Sequence, residues 1–418
     1  MIKRSRWLAV IAVLAMTLAA CGGDDGGEVR DLGADGTATG SASGTATGSA
    51  SGTATGSASG TATGSASGTA TGSASGSASG SASGSASGSA SGTGSGSVSA
   101  TPGDGGYEYA TDVSAHRLVV EDVCDIKDLL DQDPIVYDDI EAVYVEGGNS
   151  VNSDGSVRTL AGFATAEERL HGLDDYYGTP TPLDDFVSAA IAGEGSFAGE
   201  SDGVRSQAIE KGTQNQIMLA WVEHELSAAL DKATSGDFDP VGGAVHNWDE
   251  AWAFYHGAAP GCAPYATANS RAGNFGTVGA DGETAQANEQ ILTAMIDGRD
   301  ALVAEDSDGA SAAADTIRRA IFITYSQAAI RYATIAQQDI EAGDDEAAAT
   351  HQAEGLAFWQ VIEARAADAG ADVDAVNAIF DLSGEPGAHG GGEEVRAALA
   401  PAWDSLSISP DDIGELDG

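Results

Sequence analysis

The chain has 418 residues, of which 64 are acidic and 18 basic, for a formal net charge of −46. A surface this acidic repels nucleic acid and anionic lipid headgroups, so neither is expected as a partner. Solubility in a salty environment is one explanation of the excess and a charge dedicated to a cationic substrate is the other; a diffuse attraction for cations follows from either.

The N-terminus reads as an export signal. Lys3, Arg4 and Arg6 precede an apolar run from Leu8 to Ala20 that is too short for a lasting membrane span, so residues 1–20 read as a cleaved signal peptide. Leu18-Ala19-Ala20-Cys21 resembles the bacterial lipobox, in which the cysteine thiol takes a diacylglycerol before cleavage. Cys21 is therefore expected to carry palmitate-type chains, with residues 21–32 as the lipidated N-terminus. More than one acyl chain gives lasting attachment, which makes the membrane a partner through Cys21 and places the rest in the cell envelope, periplasmic or extracellular. Residues 33–106 follow, built almost entirely of Gly, Ser, Ala and Thr in repeats of Thr-Ala-Thr-Gly-Ser-Ala-Ser-Gly, with no large apolar side chain until Val98. That composition predicts a disordered tether with a span of roughly 45–50 Å.

Residues 107–418 form the acidic domain, and helical spacing dominates it. Val113, Leu118 or Val119, Val123, Ile126 and Leu130 set a helix over Asp112–Leu130, and Pro134 ends that stretch. Val136–Val145 reads as a short second helix, Gly147–Ala164 as an ordered loop, and Asp184–Ile191 as a short helix. A long helix spans Gly203–Ala233, with Ile209, Ile217, Ala220, Trp221 and Ala228 on one stripe. Further helices cover His246–His256, Gly282–Ala304, Ala312–Ala342, Glu346–Ala369 and Asp372–Phe380. The fold class is all-α, a helical bundle array with long ordered loops. Glu250-Ala-Trp-Ala-Phe-Tyr255 parallels Glu354-Gly-Leu-Ala-Phe-Trp359, which suggests two related helical hairpins; chance likeness between Ala-rich helices is the rival explanation. With Cys21 committed to lipid, Cys124 and Cys262 remain, either as one disulfide or as two buried thiols.

His224 shares the stripe of Ile217, Ala220, Trp221 and Ala228, flanked by Glu223 and Glu225. His246, Asp249 and Glu250 stand at i, i+3 and i+4, on one face and within reach of one ion. His351 and Glu354 repeat the i, i+3 spacing. Imidazoles and carboxylates converging inside a bundle are how such folds hold transition metals. The predicted ligand set is His224, His246, Asp249 and Glu250, with Glu223 and Glu354 added. The competing reading makes His224 a hydrogen-bonded core histidine, His246 and Asp249 a solvated helix start, and His351 with Glu354 a surface pair. His116, His171 and His389 show no partner in the sequence. No HExxH, Gly-x-Ser-x-Gly, Walker or dinucleotide motif occurs, so no catalytic residue is expected.

Several stretches resemble one family. They are Gly148-Asn-Ser with Ser153-Asp-Gly-Ser-Val-Arg158-Thr-Leu160, then Asn247-Trp-Asp-Glu-Ala-Trp-Ala-Phe-Tyr255, then Cys262-Ala-Pro-Tyr-Ala-Thr-Ala-Asn-Ser-Arg271 leading to Asn274-Phe-Gly-Thr277. Together they are similar to the algal iron-assimilation proteins, the low-iron-inducible periplasmic family with bacterial relatives. The likeness covers nearly all of the chain after the tether, and Asn247–Thr277 is its most specific part. It implies secreted or periplasmic proteins that assist iron uptake, which makes iron the expected metal; the lipid anchor and tether depart from the algal pattern. A weaker likeness is to imelysin-type lipoproteins, whose Gly-x-His-x-x-Glu motif is not present as such. The expected function is a lipid-anchored extracytoplasmic protein that binds iron, or another transition metal, and assists its uptake. The alternatives are a non-catalytic structural or adhesion module and a metal-dependent enzyme such as a ferroxidase.

Overall fold

The structure is a computed structural model that describes residues 103–239 and 241–417, together with short strands between residues 38 and 87. The expected signal peptide, Cys21 and the residues up to 32 lie outside the described residues. The chain separates after Gly96 into two units. In the repeat, Ala50–Thr55 pairs in parallel with Ala66–Thr71, and Ala42–Ser43 with Ala58–Ser59, at the same offset of two eight-residue repeats.

From 103 to 417 the described residues form an all-α fold, with strand-like contact confined to the isolated bridges Asp104–Tyr107, Val151–Val157 and Val278–Ala285. The helices in chain order are α1 (Val119–Leu130), α2 (Tyr137–Glu146), α3 (Leu160–Ala164), α4 (Leu173–Tyr177), α5 (Pro182–Ala192), α6 (Asp202–Lys211), α7 (Met218–Ser235) and α8 (Ala244–Tyr255). They continue as α9 (Pro264–Phe275), α10 (Gln286–Val303), α11 (Ser307–Ala342), α12 (Asp345–Asp368), α13 (Val373–Phe380), α14 (Gly392–Ser405) and α15 (Pro410–Ile413). No helix among the described residues is long and apolar enough to cross a membrane.

Local chemistry sets the ends of the longest elements. Asp306 caps α11 by accepting from the Gly309 N–H at 3.0 Å, and Asp344 caps α12 by accepting from the Ala347 N–H at 3.1 Å. Gly343 stops α11 in the left-handed conformation, with φ of 80°. α11 is packed on both α10 and α12, and α7 forms a hairpin with α8. α6 runs into α7 through a π turn, Gly212–Ile217, whose residues are all buried. Trp248, Trp252 and Trp359 are the largest fully buried side chains. Cys124 on α1 and Cys262 just after α8 are joined as a disulfide.

The expected helices recur with shifted ends. α3 and α4 were not expected because each is a single turn or so. α9 was hidden by its polar Ala, Thr, Asn and Ser content, although Pro264 at its first position is a start signal. α14 and α15 were also unexpected.

Trp248 seats α8 on α10, with its Nε1 donating to the Met295 carbonyl at 2.8 Å. The seat exists because residue 298 is glycine: a Cβ there would overlap the Trp248 ring. Alanine in a helix interior ordinarily gains about 1 kcal/mol over glycine. Here Gly298→Ala is expected to cost about 1–3 kcal/mol instead, through overpacking. Urea denaturation of both proteins checks the sign.

Candidate functional site

Two helices and an irregular segment meet at the site. α7 supplies Glu225, and α8 supplies His246, Asn247, Asp249 and Glu250. Residues 103–118 lie across α8 and bring Tyr107, Thr111 and His116.

Asp249 is fully buried and holds that segment in place. Its Oδ1 accepts from the Tyr107 hydroxyl at 2.6 Å. Its Oδ2 accepts from the N–H groups of Ala110 and Thr111, at 2.9 and 2.7 Å, and from the Thr111 hydroxyl at 2.7 Å. Because Thr111 gives its hydroxyl proton to Asp249, its oxygen is left to accept, and His246 Nδ1 lies 3.1 Å away. Nδ1 therefore carries a proton toward Thr111, and with Nε2 facing a carboxylate the ring satisfies both partners only as the imidazolium. His246 Nε2 faces Glu250 Oε1 at 3.0 Å. His116 Nδ1 approaches the same oxygen at 3.1 Å. Asn247 Nδ2 donates to Glu225 Oε2 and lies 3.4 Å from Glu250 Oε2, while Lys232 Nζ donates to Asn247 Oδ1 at 2.5 Å and so fixes which way the amide points.

The two carboxyls are driven apart in proton affinity. Burial disfavours charge on Glu250, but the His246 hydrogen bond, the two imidazoles and a hydrogen bond from Glu225 prevail and bring it down to about 2. Burial, then the charge on Glu250, push Glu225 well above the usual carboxyl range. The pair therefore shares one proton, carried by Glu225. Burial lowers His116 to about 4, so that imidazole is neutral at pH 7. Burial also opposes charge on His246, yet its bond to Glu250 outweighs this and raises it. Burial lowers Arg158, whose charge reaches Glu250 and Glu225 and whose buried Nη1 has no hydrogen-bond partner.

Of the sequence-predicted ligands, the structure brings His246 and Glu250 together. Asp249 turns away to Thr111 and Tyr107, because i+3 and i+4 lie about 100° apart around the helix. Glu223 is gripped by Arg318, with Nε–Oε2 of 2.8 Å and Nη2–Oε1 of 2.6 Å. Glu354 is buried 3.6 Å from Lys211 Nζ. His224 Nδ1 meets His171 Nε2 at 3.0 Å, and burial and that neighbour lower it to about 4. His351 pairs with Asp339 at 2.6 Å.

His116 and Glu225 are the residues that sequence reasoning missed. A signal for His116 did exist. Cys124 follows it by eight residues and Cys262 follows Glu250 by twelve, so their bridge draws the two regions together. Among the described residues, no group of three or more His, Cys, Asp or Glu side chains is arranged to hold a metal ion. Glu250 Oε1 is instead the common acceptor of both imidazoles. Chemically, this is a cluster of two imidazoles and two carboxyls whose donor atoms are masked by protons.

A family model described as low iron-inducible periplasmic protein matches residues 81–418. No curated protein and no solved structure matches the chain.

With Glu250 ionised, His246 titrates above its ordinary value of 6.5. The His246 share of the pair's stability is thus complete below about 6.5 and is lost as pH rises through the raised value, while the Glu250 share is complete above 4.5 and is lost as pH falls toward about 2. In Glu250→Gln, burial and the Lys232 charge are opposed only by Asp249, and the His246 titration is expected to fall below 6.5. Imidazole NMR titrations of wild type and variant check this.

Proposed function

We propose an iron-binding function from one firm premise: the chain belongs to the low iron-inducible periplasmic protein family, whose model spans residues 81–418. The family's description ties it to the periplasm and to low iron. The observation that carries the reading is the convergence of His116 Nδ1 and His246 Nε2 on a single oxygen of Glu250, with Glu225 beside it. Mixed imidazole and carboxylate donors suit iron. The hydrogen bond from His246 Nδ1 to Thr111, backed by Asp249, is the kind of outer support that orients a metal-ligating histidine. Iron is the cargo. On entering, it would displace the proton held by Glu225 and the one shared between His246 Nε2 and Glu250, and the proton on His116 Nδ1 would move to that ring's Nε2, so uptake weakens as pH falls.

Anaerobic calorimetry with ferrous ion, and calorimetry with ferric citrate, are expected to show saturable binding with proton release in wild type. Bound at a hundredfold excess over its Kd, iron would stabilise the fold by about 2.7 kcal/mol. Glu250→Ala should abolish that metal-dependent rise in Tm. A second reading, a purely structural cluster, is favoured by the partners that these groups already have. It expects the variant to lose stability without metal, and a wild type indifferent to ferrous and ferric iron would establish it.

The proposal includes the setting of the domain. Cys21 carries the lipid, and residues 33–106 space the domain from the membrane; the lipobox resemblance and the repeat composition support this. Cys21→Ser is expected to shift the protein from the detergent to the aqueous phase in Triton X-114 partitioning, and to leave an unprocessed precursor by intact mass. A wild-type protein already in the aqueous phase would refute the anchor.

A further inference from the structure

We infer that the helical domain holds a small inorganic anion of the chloride class in its interior, between Arg271 of α9 and Asn215 of the π turn. Arg271 is only 7% exposed. Its guanidinium lies over the rings of Tyr332 and Phe358, 5.1 and 5.9 Å from their centres, and those rings stack on each other at 5.4 Å. Its Nε and Nη1 are buried and have no hydrogen-bond partner, and among the described residues no carboxylate forms an ion pair with it. The Tyr332 hydroxyl stands between Arg271 and Glu354, and Glu354 also lies 3.6 Å from Lys211 Nζ.

Asn215 shares this neighbourhood. Thr267, one helical turn before Arg271, donates its hydroxyl to Asn215 Oδ1 at 2.8 Å, and the Tyr325 hydroxyl donates to the same oxygen at 2.6 Å. Tyr325 also lies in the field of the Arg271 charge. With its oxygen taken twice, the amide offers Nδ2, which is buried and unpartnered. The π turn that carries it is a local widening of the kind often found at functional sites.

The unmet groups on Arg271 and Asn215 are all donors. Buried donors normally find partners, and a buried charge normally finds a counter-charge. A water molecule would accept from the donors but bring no charge, and Glu354 reaches Arg271 only through the Tyr332 hydroxyl. An anion answers both needs, and walls made of aromatic rings favour a compact ion without further groups to satisfy. The site is separate from the His116–Glu250 cluster and stands or falls independently of it.

The test uses the full-length protein with sodium held constant, so that screening of its acidic charge is equal in every arm, while chloride, bromide and gluconate are exchanged. Tm is expected to be a few degrees higher in chloride and bromide than in gluconate, and to saturate with halide. Bromide should give an anomalous diffraction peak between Arg271 and Asn215. Asn215→Asp places a carboxylate beside the guanidinium, so it should fold in gluconate and lose the halide dependence. Arg271→Met should lose the dependence as well. Equal Tm in all three salts, an unchanged halide effect in both variants, or water in place of bromide in the crystal would each overturn the inference.

Discussion

A carboxylate cut off from water must be satisfied by the protein itself, and Asp249 is satisfied almost entirely by the irregular segment ahead of α1. The donors Tyr107, Ala110 and Thr111 have no helix or strand to hold them, so this one buried group fixes the path of the chain around them. The orientation of the Thr111 hydroxyl follows from it, and then the proton on His246 Nδ1. The same strap is secured further by Arg117, which reaches back to Asp104, and by Trp252, whose Nε1 donates to the Asp104 carbonyl at 3.1 Å. His116 sits at the end of this path, beside Phe254 at 6.0 Å between ring centres.

The cluster at Glu250 shows how an acidic protein can keep a site chemically diverse with few cations. Two carboxyls in a low-dielectric interior cannot both ionise cheaply, so one keeps its proton and the other takes its support from imidazoles and an amide. Lysine and arginine stand one step back. Lys232 orients Asn247, and Arg158 contributes charge without an ion pair.

Much of the helical framework was legible in the sequence, because the apolar stripes on α7, α8 and α11 are strong and the loops between them short. The pairing of His246 with Glu250 was legible for the same reason, since i, i+4 neighbours on one helix need no tertiary information. What could not be read is which part of the core each stripe faces. His224 and His246 are both only partly buried on adjacent helices, yet one meets the exposed His171 and the other Glu250. Asp249 looked like a ligand and is a structural anchor, because its partners lie about 140 residues away in a segment with no periodicity. α9 was missed although its polar residues have a purpose inside the fold: Asn269 accepts from the Ala285 N–H at 2.8 Å and from Asn288 Nδ2 at 2.7 Å.

The bond between Cys124 and Cys262 closes a loop of 138 residues whose flanks carry His116 on one side and His246 with Glu250 on the other. Such a bridge persists only where thiols are oxidised, and it acts chiefly by restricting the open chain. Maturation of this cluster is therefore a question of address. A newly made chain in a reducing cytoplasm has every residue of the cluster but lacks the clamp that keeps its two halves in register. Making the polypeptide and finishing it become events in different compartments, with the second governed by the redox state outside rather than by the sequence alone.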